Sequence, residues 1–252
     1  MGGELADSSI QKVTRICQRS PLPKFLLMNQ LLEQEPLDTY EYVVIADDDI
    51  LLPENFLDGF LGAQSAFGFR LAQPARTPNS FIDHSITRRT EGILARETLF
   101  VEIGPVTSFH RSIFHLVFPF DMTSPMGWGY ENIWAYRLSE RGFAMGIIDA
   151  YPVDHSLRPP AVYYDRTAAK QAQQRLLGSQ PHLPVKRYYS TLKIFPLLSK
   201  LGGIEECKRE RLRSFRLLGH GVRVEIGLLL SKFVRRTRGI CWSMWARRGM
   251  SR

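Results

Sequence analysis

The sequence predicts an α/β fold in which a mostly parallel sheet is flanked by helices. Short apolar segments alternate with amphipathic ones along most of the chain, and residues 42–46 (YVVIA) are apolar and rich in β-branched side chains. Such a segment is typical of a strand that is buried on both faces of a parallel sheet. A chain of 252 residues is also long enough to bury a substantial core.

The elements are expected to alternate between helix and strand along the chain. Residues 8–34 are predicted to be helical, with an interruption at Pro21 and Pro23, and Pro53 is well placed to open a helix over residues 54–66. Further strands are predicted over residues 69–74, 99–103 and 144–148, with an extended segment at 106–109. Further helices are predicted over residues 112–117 and 131–141.

The charge divides the chain into a body and a tail. The whole chain carries +8, but residues 207–252 hold +11, which leaves −3 on residues 1–206. We predict a folded domain over residues 1–165, a helical or irregular connector over 166–206 and a helical basic tail over 207–252. Basic and apolar residues alternate in the tail near two tryptophans, which favours binding to an anionic membrane surface. A helix packed on the domain with solvated charges is the alternative, and no nucleic-acid-binding signature accompanies the charge.

The sequence also predicts where in the cell the protein is found. No leader with a basic start and an apolar centre opens the chain, and no uncharged stretch reaches the roughly 18 residues that span a bilayer. The three cysteines are widely spaced, which argues against a disulfide framework and against a cysteine-based zinc site. We therefore predict a cytoplasmic protein that associates peripherally with a membrane through its tail.

Three consecutive aspartates, Asp47, Asp48 and Asp49, follow the apolar strand. Neighbouring carboxylates repel one another unless a cation lies among them, and open α/β sheets bind ligands at the C-terminal ends of their strands. In an extended chain the side chains of Asp47 and Asp49 point the same way, so these two residues are candidate ligands of one Mn²⁺ or Mg²⁺ ion. A solvated acidic turn is the alternative.

Several short motifs occur in an order that resembles the acceptor-binding half of glycosyltransferases with the GT-A fold. They are residues 104–111 (GPVTSFHR), Phe120-Asp121, residues 127–132 (GWGYEN), and Arg137 with Gly142. More closely, residues 72–163 resemble the plant and bacterial domain of unknown function 707, which is assigned to the same fold by similarity. The resemblance covers about residues 24–165 and implies a GT-A-like, Rossmann-like architecture. Only 46 residues precede Asp47, so part of the N-terminal nucleotide-binding half is expected to be missing.

The resemblance implies roles in binding a nucleotide sugar. The three aspartates would be the D-x-D motif, which binds the divalent ion and the donor diphosphate, and His155 matches a late histidine that completes the metal site. Arg111 is a candidate for facing the pyrophosphate or the acceptor, with a surface salt bridge as the alternative.

The resemblance also implies a catalytic acid and an acceptor site at the start of the helix over residues 131–141. Glu131 matches the position where inverting relatives deprotonate the acceptor hydroxyl. The family's usual Glu-Asp pair is Glu131-Asn132 in this chain, so a purely electrostatic role at the helix N-terminus is the alternative for Glu131. Trp128, Gly129 and Tyr130 would contact the acceptor, and burial of the two aromatic rings in the core is the alternative.

These motifs together predict a metal-dependent glycosyltransferase. It would transfer a sugar from a nucleotide-diphosphate donor to a glycan or lipid-linked acceptor, with inversion or retention left open. One alternative is an inactive or truncated glycosyltransferase-like binding module at a membrane surface. The other is a haloacid-dehalogenase-like phosphatase with an aspartate nucleophile. The phosphatase is less favoured because Leu51 stands where its motif requires Thr or Val.

Overall fold

The computed structural model describes residues 12–17, 22–158 and 165–197, together with the backbone of two short strands nearer the C-terminus. The strands are β1 Tyr40–Ala46, β2 Leu71–Arg76, β3 Ile93–Thr98, β4 Val106–His110, β5 Met145–Val153, β6 Thr191–Pro196, β7 Arg223–Val224 and β8 Trp245–Arg247. The helices are α1 Lys24–Leu32, α2 Phe56–Ala66, α3 Phe114–Val117, α4 Tyr130–Ser139, α5 Arg166–Ser179 and α6 Val185–Tyr188. The predicted α/β class is therefore confirmed.

The strands form one mixed sheet in the order β7-β6-β3-β5-β2-β4-β1-β8. Only the pairs β2–β5 and β6–β7 are parallel, and all other neighbours in this order are antiparallel. The prediction of a mostly parallel sheet is wrong. The apolar pattern of β1 reports burial on both faces, and that burial does not depend on the direction of the neighbouring strands.

Two hydrophobic clusters lie on opposite faces of the sheet. Val43 and Ile45 of β1 contribute to the larger cluster, which includes Trp134 of α4, whereas Val44 contributes to the smaller cluster with Phe60 of α2. Alternate residues of one strand thus reach both clusters, as the pleat requires. This two-sided packing fixes the end of β1, where the aspartates follow.

Most of the predicted elements are confirmed, but one strand is not, and the helix predicted over residues 8–34 is wrong at residues 14–17, which are not helical. The segment predicted over residues 99–103 is irregular, and the strand of this region, β3, ends at Thr98. The backbone of residues 99–103 bonds outside a strand ladder: the amide of Glu102 donates to the side-chain oxygen of Gln73, and that of Leu99 donates to the carbonyl of Ser190. The alternation of apolar residues reflects burial of Phe100 and Val101 in a turn rather than a strand.

The predicted connector and tail are described in part. Helix α5 contributes Leu176 to the larger cluster, and β6 pairs with β3, so these parts of the connector pack with the domain. Most of residues 207–252, where we predict a basic helix, lies outside the described residues. At β7 and β8 the backbone is extended, so the helical prediction is wrong there. No helix in the described ranges is long and apolar enough to cross a membrane.

The strand directions bring several polar segments to one edge of the sheet. Strands β1 and β2 are both antiparallel to β4, and β2 is parallel to β5, so the C-terminal ends of β1, β2 and β5 lie at the same edge. Strand β4 begins at that edge, because Val106 pairs with Ala46. We call it the acidic edge, since the three aspartates lie there.

Candidate functional site

The first aspartate of the acidic edge is held by a lysine. The amide of Asp47 donates to the carbonyl of Pro105 at 2.8 Å, which continues the pairing of β1 with β4. Its carboxylate oxygen Oδ1 accepts a hydrogen bond of 2.6 Å from Nζ of Lys24, the first residue of α1. Gly104 lies against this pair, and a Cβ there would be 3.1 Å from Asp47 Oδ2. The close approach explains why a glycine fits this position.

The third aspartate meets His155, as the motif resemblance implies. Leu51 and Asp154 exchange backbone hydrogen bonds of 2.8 and 3.1 Å, which hold the chain after β5 beside the chain after β1. Nε2 of His155 lies 3.4 Å from Oδ1 of Asp49. The amide of His155 donates to Ser80 Oγ at 2.9 Å, which fixes the backbone that carries the imidazole.

The second aspartate pairs with Arg158, a residue that the sequence analysis did not single out. The guanidinium of Arg158 donates to Oδ1 of Asp48 and lies 3.4 Å from Oδ2 of Asp49. The interaction with these two carboxylates raises the pKa of Arg158. The chain turns at Asp48 and Asp49 rather than remaining extended, so Asp47 and Asp49 have different partners.

The residues of the acidic edge fit a divalent ion in part. Asp49 and His155 offer a carboxylate oxygen and an imidazole nitrogen, which are donor types that Mn²⁺ accepts. Nδ1 of His155 is buried and has no hydrogen-bond partner within the described ranges. Within the described ranges, there is no group of three or more His, Cys, Asp or Glu side chains that could hold a metal ion. The pair Asp49–His155 is therefore the part of the predicted ligand set that the fold brings together.

Glu131 is buried at the start of α4. The turn before it requires Gly129, whose φ of 99° lies in the left-handed region. The residue is 7% exposed, and its Oε2 atom has no hydrogen-bond partner in the part of the chain that the structure describes. Burial raises the pKa of Glu131 to about 7, and the backbone N–H groups of Gly129 and Glu131 oppose this shift only in part. A carboxyl group with this pKa suits proton transfer near neutral pH.

A second buried carboxylate, Glu102, lies near Glu131 and was missed by the sequence analysis. Its Oε2 accepts a hydrogen bond of 2.5 Å from Nη2 of Arg76, and its Oε1 lies 4.0 Å from Nε2 of His84. Burial raises the pKa of Glu102 to about 8; the charge of Arg76 opposes this shift, and the charges of Asp83 and Glu131 add to it. Arg76 also donates to the carbonyl of Phe81 at 2.6 Å. In the sequence Glu102 resembles the solvent-facing position of a strand, so no local signal marked it.

Arg111 does not lie at the acidic edge, which corrects its predicted role at the donor pyrophosphate. Strand β4 begins at this edge and runs away from it, so His110 pairs with Tyr42 near the start of β1. With about 3.3 Å per residue, the two ends of β4 are roughly 13 Å apart. Arg111 follows the far end and donates to the carbonyl of Asp38 at 3.0 Å.

The predicted acceptor residues are enclosed by the fold. Tyr130 is 3% exposed, stacks on Phe120 at 5.5 Å between ring centroids, and donates its hydroxyl to the carbonyl of Asp121. A Cβ on Gly129 would lie 3.2 Å from the side chain of Gln173 in α5. Trp128 is half-buried, and its carbonyl accepts a hydrogen bond from Ser124. The core alternative therefore holds for Tyr130, whose ring is not available for stacking on a sugar.

Comparison with models of known protein families finds no match, and no curated protein is similar to this chain at a significant level. The fold and the site define a mixed α/β protein with carboxylate, imidazole and basic side chains gathered at one edge of its sheet.

Proposed function

We propose that the protein is a glycosyltransferase that moves a sugar from a nucleotide-diphosphate donor to a glycan or lipid-linked acceptor. The observation that carries the proposal is the contact between Asp49 and His155, at 3.4 Å between Oδ1 and Nε2. These residues follow two different strands, and their approach at the C-terminal ends of β1 and β5 supports a ligand site at this edge.

Different side chains of the acidic edge would bind the metal ion and the phosphate groups of the donor. Asp49 and His155 would hold a Mn²⁺ or Mg²⁺ ion, and such an ion neutralises charge on the departing nucleotide diphosphate. Lys24 and Arg158 lie beside Asp47 and Asp48 and would offer their donors to the phosphate oxygens.

Glu131 would accept the proton of the acceptor hydroxyl. Its Oε2 atom has no competing hydrogen bond from any described residue, and its pKa of about 7 allows it to take up a proton at neutral pH. A proton on Glu131 would then be released to solvent after transfer. Glu102, paired with Arg76, would supply a second carboxyl group nearby.

Calorimetry tests the donor site. We expect uridine or guanosine diphosphate to bind the full chain in the presence of Mn²⁺, and Asp49→Asn and His155→Ala to weaken binding by about tenfold or more. Asp58→Asn, which removes an acid from the first turn of α2, is the matched control and should bind as wild type does. Absence of Mn²⁺-dependent binding to wild type, or equal binding by all four proteins, would contradict the donor site.

Donor turnover tests the proton acceptor. With a panel of uridine- and guanosine-diphosphate sugars, water can replace the acceptor, so release of the nucleotide can be followed without an identified acceptor. We expect Glu131→Gln to bind nucleotide as wild type does and to release it about 10²–10⁴-fold more slowly. An unchanged rate would show that Glu131 is not the proton acceptor.

A glycosyltransferase-like binding module without catalysis is the second candidate. It is favoured by the ion pairs of Lys24 with Asp47 and of Arg158 with Asp48, because these cations neutralise the aspartates without a metal. Mn²⁺-independent nucleotide binding would support this candidate. The haloacid-dehalogenase-like alternative has less support, because both neighbours of β1 in the sheet are antiparallel to it.

A further inference from the structure

Three basic side chains lie together at the edge of the sheet opposite the acidic edge. Arg70 directly precedes β2, His110 ends β4, and Arg111 follows it. The amide of His110 donates to the carbonyl of Arg70 at 2.8 Å, which holds the two backbones side by side. We call Arg70, His110 and Arg111 the basic cluster.

The basic cluster presents hydrogen-bond donors. Nδ1 of His110 accepts a hydrogen bond of 3.2 Å from the amide of Ser112, so the neutral imidazole carries its proton on Nε2. Nη1 of Arg70 lies 3.4 Å from both ring nitrogens. Nη2 of Arg111 donates to the carbonyl of Asp38, while its Nη1 is enclosed and has no hydrogen-bond partner among the residues described. An enclosed guanidinium nitrogen without a partner has unused hydrogen-bonding capacity.

The positive charge of the cluster is not balanced within the described structure. Neither Arg70 nor Arg111 forms a salt bridge with a described carboxylate. Of the acids nearby in sequence, Asp38 contacts Arg111 through its carbonyl, and Glu41 is exposed on β1. Burial and the charges of Arg70 and Arg111 lower the pKa of His110 to about 4, so the imidazole is neutral at physiological pH. Two guanidinium groups thus lie close enough to His110 to act on its charge, and neither forms a salt bridge with a described carboxylate.

We propose that the basic cluster is a binding site for a phosphate group. The two guanidinium groups match the charge of a phosphate dianion and donate charge-assisted hydrogen bonds to phosphate oxygens, and Nε2–H of His110 adds a neutral donor. The phosphate is either free or the headgroup of an anionic lipid. The backbone of β8, within the basic tail, pairs with the Tyr40 end of β1, which is the strand next to β4. This site is separate from the acidic edge and does not depend on the proposed glycosyl transfer.

Titration of the full chain with inorganic phosphate tests the site, with the imidazole resonances of His110 as the probe. A bound phosphate anion, which is the monoanion at the pH where His110 titrates, stabilises the imidazolium, so we expect the pKa of His110 to rise by about one unit. Arg70→Gln and Arg111→Gln should abolish this rise, and Arg111→Lys should reduce it because lysine lacks the planar fork. The control is Arg175→Gln on the exposed side of α5, which should behave as wild type does. Circular dichroism of each variant verifies folding.

Vesicle sedimentation distinguishes the two sources of phosphate. If the ligand is a lipid headgroup, phosphatidic acid vesicles will bind wild type, and Arg70→Gln and Arg111→Gln will weaken binding more than Arg175→Gln does. If the ligand is free, the response of His110 to inorganic phosphate will occur without a difference between these variants on vesicles. The proposal is overturned if inorganic phosphate leaves His110 unchanged and the three variants bind vesicles equally.

Discussion

The buried carboxyl of Glu131 makes the stability of the protein depend on pH. Burial raises its pKa from 4.5 to about 7, and one pKa unit corresponds to about 1.4 kcal/mol, so the ionised form costs about 3 kcal/mol in the folded protein. The folded pKa lies above the unfolded one, so the folded protein binds the proton more tightly. The cost is therefore absent below about pH 4.5, grows as the pH rises, and is complete above pH 7.

Glu131→Gln removes this charge and keeps the shape of the side chain. We expect the free energy of unfolding of the variant, relative to wild type, to increase by about 3 kcal/mol between about pH 5 and pH 8. The neighbouring carboxyl acts in the same direction, because loss of the charge on Glu131 also lowers the pKa of Glu102. Urea unfolding followed by tryptophan fluorescence at several pH values measures the difference.

The comparison across pH separates the charge from other effects of the substitution. Poor packing of the glutamine amide would change the free energy of unfolding by the same amount at every pH. Ionisation of Glu131 instead makes the difference between variant and wild type change with pH. Glu140→Gln is the matched control, since Glu140 is exposed at the end of the same helix. A difference between wild type and Glu131→Gln that stays constant from pH 5 to pH 8 would refute the account of burial given above.

Three further predictions concern stability and can be measured by thermal unfolding. Arg96→Met should destabilise by about 3–5 kcal/mol, because it leaves fully buried Asp149, which Arg96 contacts at 2.9 and 3.0 Å, without its cation; a loss below 1 kcal/mol would contradict this. Gly127→Ala should destabilise by about 1–3 kcal/mol, since φ is 83° and a Cβ would overlap the Phe25 ring. Gly178→Ala should instead stabilise by up to about 1 kcal/mol, because it lies in α5 with open space around it.

Local patterns predicted the positions of most elements but not the direction of the strands. The burial of β1 on two faces is visible in its composition, whereas its antiparallel neighbour β4 is defined by a chain path that returns between β1 and β2. The same path determines which residues share an edge. Motif order placed Asp49 and His155 in one predicted site, and the fold brings them within 3.4 Å of each other, whereas Arg111 lies beyond the opposite end of β4.

The residues that the sequence analysis missed all act through partners that are distant in the chain. Glu102 lies in an irregular segment, and its pKa depends on the charge of Arg76, the last residue of β2. Lys24 and Arg158 likewise become candidate binding residues only because the fold places them beside the aspartates. Single basic or acidic residues at such positions are most often solvated, so no composition or spacing separates these from the others.

Two neighbouring polar residues at the start of α4 differ in their effect on stability: Asn132 stabilises the fold, and Glu131 does not. The side-chain amide of Asn132, at the position where the resembling family has an aspartate, donates to the carbonyl of Leu183 at 2.8 Å, and the backbone carbonyl of Asn132 accepts from the Leu183 amide. An aspartate there could not make the side-chain donation and would bury a charge. Glu131 has no such stabilising effect on the fold, because its ionisation opposes folding by about 3 kcal/mol at neutral pH. Buried groups that cost stability in this way are a feature of functional sites, so the energetics favour Glu131 over position 132 for the proposed role of proton acceptor.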